Sequence, residues 1–251
     1  MSDRTLVVLP TYNEKDNLTD TVTRIGASAP HVDILVVDDN SPDGTGRLAD
    51  DLALVNSHVH VLHRAGKEGL GAAYLDAFRW AIAAGYEVVV ECDADGSHHP
   101  EELHRLLDAL DTHDLAIGSR WVHGGSVVDW PRSRELLSRG GSAYARTLLR
   151  LRQRDVTGGY RAFRIGALEA IGLDAVTSQG YCFQIEMLWR ANRAGLRIAE
   201  VPITFTERTL GVSKMRGMIV LEAMARVTLW GMQSVFGRRS SAQTAPERSR
   251  V

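Results

Sequence analysis

The sequence holds only two cysteines, Cys92 and Cys182, and no C-x-x-C pair. That excludes a disulfide framework and the usual structural zinc sites, and it suits a reducing compartment. His98 and His99 lie near Cys92, but their spacing matches no common zinc-ligand pattern. Apolar runs are short. None approaches the ~18 residues of a membrane-spanning helix, so no transmembrane segment is predicted. The first run, Leu6 to Leu9, is strand-sized and stops at Pro10, so no signal peptide is expected. Excess positive charge is also missing. A net charge of -2 gives no general attraction to nucleic acid, and none is expected as a partner.

What remains is an ordinary globular composition, 44% hydrophobic and 24% charged, enough for one domain with or without an appendage. No internal repeat is visible. Through the first half, strand-like runs alternate with helix-like segments. Thr5–Leu9, Ile34–Val37, Val59–Leu62, Glu87–Val90 and Leu115–Ile117 read as strands. Helices are predicted from about Glu14 to Ala27, from Gly44 onward, over Gly71–Ala84 and over Pro100–Leu110. Short continuous apolar runs suit strands buried on both faces, as in a parallel sheet. The fold class is therefore α/β, an open and mostly parallel sheet flanked by helices. Residues 121–160 change character, with several arginines and the pairs Gly124-Gly125, Gly140-Gly141 and Gly158-Gly159. Beyond them we expect a helix over Gly180–Ala194, a strand pair around Ile198–Phe205 and a loop from Arg208 to Lys214. An amphipathic helix over 217–236 and a disordered basic tail over 237–251 follow.

Open α/β sheets bind ligands beyond the carboxyl ends of their strands. Four polar clusters fall there: Pro10 to Glu14, Asp38 to Gly44, Asp93-Ala94-Asp95, and Gly118-Ser119-Arg120. Asp93 and Asp95 stand one residue apart at a strand end. Like charges that close repel unless a cation sits between them. A divalent ion with oxygen ligands is the simplest such cation, and a ligand diphosphate commonly completes its shell. A D-x-D alone is equally a polar turn. Four clusters on one edge favour a nucleotide site.

The segments LPTYNE, VVDDNSPDGT, ECDADGSHHPEE, GSR, GYCFQIEM and the ER-to-SK stretch ending at Lys214 recur in an ordered pattern. Together, from about residue 5 to 215, they resemble the family 2 inverting glycosyltransferases of GT-A fold. Within that family they are most similar to the dolichyl-phosphate and polyprenyl-phosphate mannose synthases. The resemblance implies a GT-A catalytic domain over 1–215 that takes GDP-mannose and a divalent ion, Mg2+ or Mn2+. Pro10, Tyr12 and Glu14 are then expected in the guanosine pocket, with Asp39, backed by Val37, beside the base and ribose. A carboxylate suits paired N–H groups of guanine or ribose hydroxyls, and Tyr12 suits a flat base. The same residues also read as a helix start with Asn13 as N-cap, and VVDDNSPDG as a turn with a helix cap. Asp93, Ala94 and Asp95 are implied at the donor phosphates and metal, Asp95 as direct ligand. Ser97 stands where the family often has Gln, with a shorter reach to the metal. Arg120, Arg134, Arg208 and Lys214 resemble the family's phosphate-binding cations, with Asp95, Arg120, Arg208 and Lys214 the catalytic set.

The implied acceptor is polyprenyl monophosphate. A phosphate monoester has a second pKa of about 6 and is largely dianionic at neutral pH. It needs no strong general base, so single displacement with inversion is expected. With no membrane span, the lipid tail implies peripheral attachment at the cytoplasmic face of the membrane. That contact is expected through residues 133–151, through 217–236, or through a membrane-protein partner. Two other readings keep the fold: a UDP-glucose or UDP-N-acetylglucosamine donor, or a silent nucleotide-sugar binder that recruits a membrane partner.

Overall fold

The computed structural model describes residues 4–207 and 224–232. In chain order the strands are β1 (Thr5–Thr11), β2 (Asp33–Asp38), β3 (Val59–His63), β4 (Val88–Glu91), β5 (Leu115–Ser119), β6 (Ser126–Val128), β7 (Arg161–Arg164), β8 (Ile198–Pro202) and β9 (Thr204–Thr206). The helices are α1 (Lys15–Ser28), α2 (Thr45–Val55), α3 (Leu70–Ala83), α4 (Leu103–Ala109), α5 (Arg132–Leu149), α6 (Ile165–Ile171) and α7 (Tyr181–Arg193). Residues 224–232 are also helical.

Seven strands form one sheet in the order β3-β2-β1-β4-β7-β5-β8, and β6 pairs with β9 in a small second sheet. All pairs in the large sheet are parallel except those of β7, which runs antiparallel to both β4 and β5. Both faces are covered, which is why the strand runs are continuously apolar. On one face Leu6, Val8, Leu35 and Val37 pack under α3, α5, α6 and α7 through Tyr74, Phe78, Leu149, Leu168, Phe183 and Leu188. On the other, Val7, Leu9, Ile34 and Val36 meet Leu18, Val22 and Ile25 of α1 and Leu103 and Leu106 of α4. The strand order turns around between β1 and β4. A crevice therefore opens at their carboxyl ends, beside residues 11–14 and 92–97.

The predicted strands and helices of the first half are present, with ends displaced by a residue or two, except that Pro100–Glu102 form a 3-10 turn ahead of α4. The second half differs more. The expected strand pair at 198–205 is two strands in different sheets: β8 lies beside β5, and β9 beside β6. Helix α5 was hidden by its arginines and Gly140-Gly141; it buries only Ser142, Ala145 and Leu149. Strand β7, sequence RAFR, has arginine at both ends and reads as surface. Yet Arg161 is fully buried, because its guanidinium donates to the carbonyls of Gly158 (2.8 Å), Gln184 (2.8 Å) and Val156 (3.0 Å).

Candidate active site

At the end of β1 the chain leaves the sheet through Tyr12 and Asn13, the latter in the left-handed region at φ 61°. The helix cap falls on Glu14 rather than on Asn13. The Glu14 backbone N–H donates to Thr45 Oγ1 (3.0 Å), and its side chain accepts from Asn17 (2.8 Å). Pro10, still paired within β1, lies half-buried before this turn. At the end of β2, Asp38 organises the turn. It accepts from Thr11 Oγ1 (3.2 Å) and from the backbone N–H of Ser41 (3.1 Å). Val37 is wholly buried, so it supports the pocket from behind. Asp39 is buried against Arg64, whose guanidinium also binds Asp76 (2.8 Å) and Glu68 (2.9 Å). Burial raises the Asp39 pKa, and the Arg64 and Lys67 charges only partly oppose it. The Lys67 ammonium sits 3.8 Å from the centre of the Tyr12 ring.

The Asp93-Ala94-Asp95 loop follows β4. Ala94 is buried and its carbonyl accepts from Thr21 Oγ1 (3.1 Å). Asp93 and Asp95 remain half-buried at the crevice. Asp95 Oδ1 accepts from the Ser97 backbone N–H (3.1 Å) and hydroxyl (2.6 Å), around Gly96 at φ 74°. Glycine takes that φ without strain, and the turn it makes lets Ser97 reach back to Asp95. Directly behind them Glu91 is fully buried, and its pKa is pushed up to about 8 by burial despite nearby Arg161. Burial therefore favours its protonated form near neutral pH and lessens the negative charge behind the loop.

His98 anchors this loop. Its Nδ1 accepts the Asp93 backbone N–H (3.0 Å), its ring stacks on Tyr160 at 4.9 Å, and it meets the Phe205 edge at 5.4 Å. Burial lowers its pKa to about 4, so the ring is a neutral acceptor. Around it the loop is tied to β9: the Thr206 N–H donates to the Ser97 carbonyl (3.1 Å), His99 Nε2 pairs with Thr206 Oγ1 (2.8 Å), and the Thr204 N–H donates to Glu102 (2.7 Å). Among the described residues no group of three or more His, Cys, Asp or Glu side chains could hold a metal. The candidate donors are the Asp93 and Asp95 carboxylates and the Ser97 hydroxyl, which is buried and already donates to Asp95 Oδ1 (2.6 Å). These hard oxygens fit Mg2+ or Mn2+ whose shell is completed by phosphate and water. They do not fit zinc, since the His98 Nδ1 is already used.

The third cluster holds the cations. Arg120 is buried in a two-pronged pair with Asp155, Nε to Oδ2 and Nη2 to Oδ1 both at 2.7 Å, and it also reaches Thr157 (3.0 Å). Burial pushes Asp155 up, but the Arg120 charge outweighs it and holds the carboxyl below its usual range. Arg120 therefore meets the site with its charge paired to Asp155. Arg134, in the first turn of α5, grips both carboxylate oxygens of Glu207 and lies 4.2 Å from the centre of the Trp130 ring. Trp130 is part of an aromatic wall with Trp121 and Phe205, at 6.3 and 5.4 Å, rather than a lipid-facing side chain. Its indole N–H, that of Trp121 and the Nε of Arg134 are buried donors without a partner among the described residues. Arg208 and Lys214 lie outside the described residues. Cys182 is buried in α7.

The structure thus brings Pro10, Tyr12, Glu14 and Asp39 to one end of the crevice and Asp93, Asp95 and Ser97 to its middle. Arg120 and Arg134 stand beyond. Sequence reasoning missed Arg64, Asp155, Glu207 and the anchoring role of His98. Of these only the paired histidines, beginning three residues after Asp95, carried a signal. The model of glycosyl transferase family 2 matches residues 6–172. The chain belongs to glycosyl transferase family 2. Polyprenol monophosphomannose synthase of Mycolicibacterium smegmatis is a family relative 57% identical over 239 residues, 94% of this chain and 90% of that protein. Undecaprenyl-phosphate mannosyltransferase of Micrococcus luteus is 56% identical over 229 residues, 91% of this chain and 94% of that protein. Two solved structures share the fold. Glucosyl-3-phosphoglycerate synthase of Mycobacterium tuberculosis, crystallised with Mn2+, UDP and glucosyl-3-phosphoglycerate, has a TM-score of 0.61 at 24% identity. It spans 92% of this chain and 79% of its own. A mannosyltransferase of Pyrobaculum calidifontis in complex with GDP-Man and Mn2+ has a TM-score of 0.56 at 18% identity, over 98% of this chain and 77% of its own.

Proposed function

We propose that this enzyme transfers mannose from GDP-mannose to polyprenyl monophosphate, giving polyprenyl-phosphate mannose and GDP with inversion at the anomeric carbon. The observation that carries this is identity of 57% and 56%, over 94% and 91% of the chain, to two enzymes named for that chemistry. The geometry agrees. Tyr12 and Asp39 offer a ring face and a carboxylate for the base. Asp93, Asp95 and Ser97 would hold a divalent ion against the donor diphosphate. That ion, when bound, supplies positive charge where the leaving GDP develops its own negative charge.

The remaining work falls to the protein. A phosphate oxygen of the acceptor attacks the anomeric carbon while the bond to the β-phosphate oxygen breaks, in one displacement. The acceptor is already ionised, so no base is required. This matches a site whose buried histidine is neutral, with its Nδ1 taken by the Asp93 backbone N–H. Arg208 and Lys214 are assigned to hold the two anions together, and Arg120 and Arg134, each already paired with a carboxylate, to fix the pocket wall.

We assign residues 1–215 to catalysis, 216–236 to an amphipathic helix and 237–251 to a tail. Among the described residues no helix is long and apolar enough to cross a membrane. The exposed Leu136 and Leu137 of α5, with Met224, Leu229 and Met232 of the neighbouring segment, are our candidates for a cytoplasmic-face lipid contact. The two helices are joined by Tyr144 and Thr228 hydroxyls at 2.8 Å, and Val227 and Trp230 pack on the core. Attachment through a membrane protein is the alternative to this direct contact. Product formation from radiolabelled GDP-mannose and a short polyprenyl phosphate, with and without EDTA, tests the proposal. A mannosyl lipid lost with EDTA supports it. GDP binding without any product sinks it in favour of a silent binder, and inhibition by UDP but not GDP points to a UDP-sugar donor.

A further inference from the structure

We propose that Lys67 is a specificity-determining residue that reads the O6 oxygen of guanine, completing a base site with Asp39 and Tyr12. The inference deepens the donor assignment above and rests on it. Three observations meet at the carboxyl ends of β1 and β2. The Lys67 ammonium lies over the Tyr12 ring, 3.8 Å from its centre. Its charge also acts on Asp39. Asp39 is immobilised by Arg64, whose side chain is 7% exposed and whose single charge faces Asp39, Asp76 and Glu68.

These groups match one base edge. Guanine presents, in a row, an N2 amino group, an N1–H and the O6 acceptor. A carboxylate accepts from the first two, and only a donor completes the third. Arg64 cannot be that donor, because it is buried and surrounded by three carboxylates. Lys67 is exposed, and its flexible four-carbon stem lets the ammonium swing from the ring face to the ring edge by rotamer change alone. An adenine would set its 6-amino group against the ammonium. A uracil, with one N–H between two carbonyls, would leave one of the carboxylate's two contacts unmade.

The test is equilibrium binding of GDP, 6-thio-GDP, IDP and UDP, with Mn2+, to the wild type, Lys67→Met and Lys67→Arg. In 6-thio-GDP the O6 acceptor becomes a weakly accepting sulfur while N1–H and the amino group stay; IDP keeps O6 and lacks the amino group. The wild type should prefer GDP over 6-thio-GDP about tenfold, the scale of one hydrogen bond to a charged donor. Lys67→Met should bind the two within about twofold and keep its full preference for GDP over IDP. Lys67→Arg, which retains a donor, should keep both preferences. If Lys67→Met keeps the 6-thio-GDP penalty, or weakens all three guanine-type ligands equally, Lys67 does not read O6 and the proposal falls. Tighter binding of UDP than GDP by the wild type would instead overturn the donor assignment, whatever the variants do.

Discussion

Replacing Asp155 by alanine is the sharpest stability test of the site's frame. Asp155 is fully buried and accepts three hydrogen bonds from Arg120, from its backbone N–H (3.0 Å), Nε and Nη2 (both 2.7 Å). Its own backbone N–H is held by Glu200 (2.9 Å). Arg120 is 7% exposed, so the variant strands a guanidinium with little access to water. Removing one partner of such a pair costs about 3–5 kcal/mol, whereas replacing both by apolar groups of similar volume is often close to neutral. Asp155→Ala should therefore lose about 3–5 kcal/mol in denaturant unfolding, and the double variant Arg120→Met with Asp155→Leu clearly less. The pH sign follows from the depressed carboxyl pKa. The pair's contribution is fully present above the unfolded-state value of about 4 and is lost as pH falls through the lower folded-state value. Wild type should accordingly lose more stability below about pH 4 than Asp155→Ala does. Additive losses in the double variant, or a stability gap that does not narrow in acid, would refute the buried-pair reasoning.

Three further outcomes are expected. Asp95→Ala should abolish transfer and the metal-dependent part of GDP binding, read by Mn2+ titration; full activity in that variant removes Asp95 from the metal. His98→Ala should weaken Mn2+-dependent GDP binding about tenfold through a loosened Asp93, with His98→Asn, which keeps an acceptor for the Asp93 N–H, recovering part of the loss. Equal metal dependence in all three proteins would show that the ring only fills space. The pair Leu136→Glu and Leu229→Glu should reduce sedimentation with anionic vesicles several-fold while leaving turnover on a short, water-soluble acceptor unchanged. Unchanged sedimentation would leave attachment to other residues or to a partner.

The first four parallel strands were legible because each is a short apolar run closed by a turn, and both physical causes are local. The acidic loop was legible as a turn for the same reason: Asp95, Gly96 and Ser97 are adjacent in sequence and close the turn among themselves. Asp155 was not, since nothing near it in sequence announces an arginine 35 residues away. Arg64 reads as one more solvated arginine until β2 and β3 pair and set it beside Asp39. Strand β7 and helix α5 failed for opposite reasons. The first hides a buried arginine satisfied by carbonyls, and the second shows so much of itself to solvent that its apolar stripe is thin. The trio of Trp121, Trp130 and Phe205 converges from three separate stretches of chain, which no periodicity reveals.

The reversed strand β7 also dictates an order of assembly during synthesis. Strands β1 to β4 are neighbours that emerge in succession, so that half of the sheet can close as the chain leaves the ribosome. Strand β5 cannot join it, because its partners are β7 and β8, both made later. Until residues 161–164 arrive, the β4 edge stays open and β5 has nowhere to dock. A nascent chain stalled between those two points would expose a ready-made pairing edge, and chaperone demand should peak in that interval.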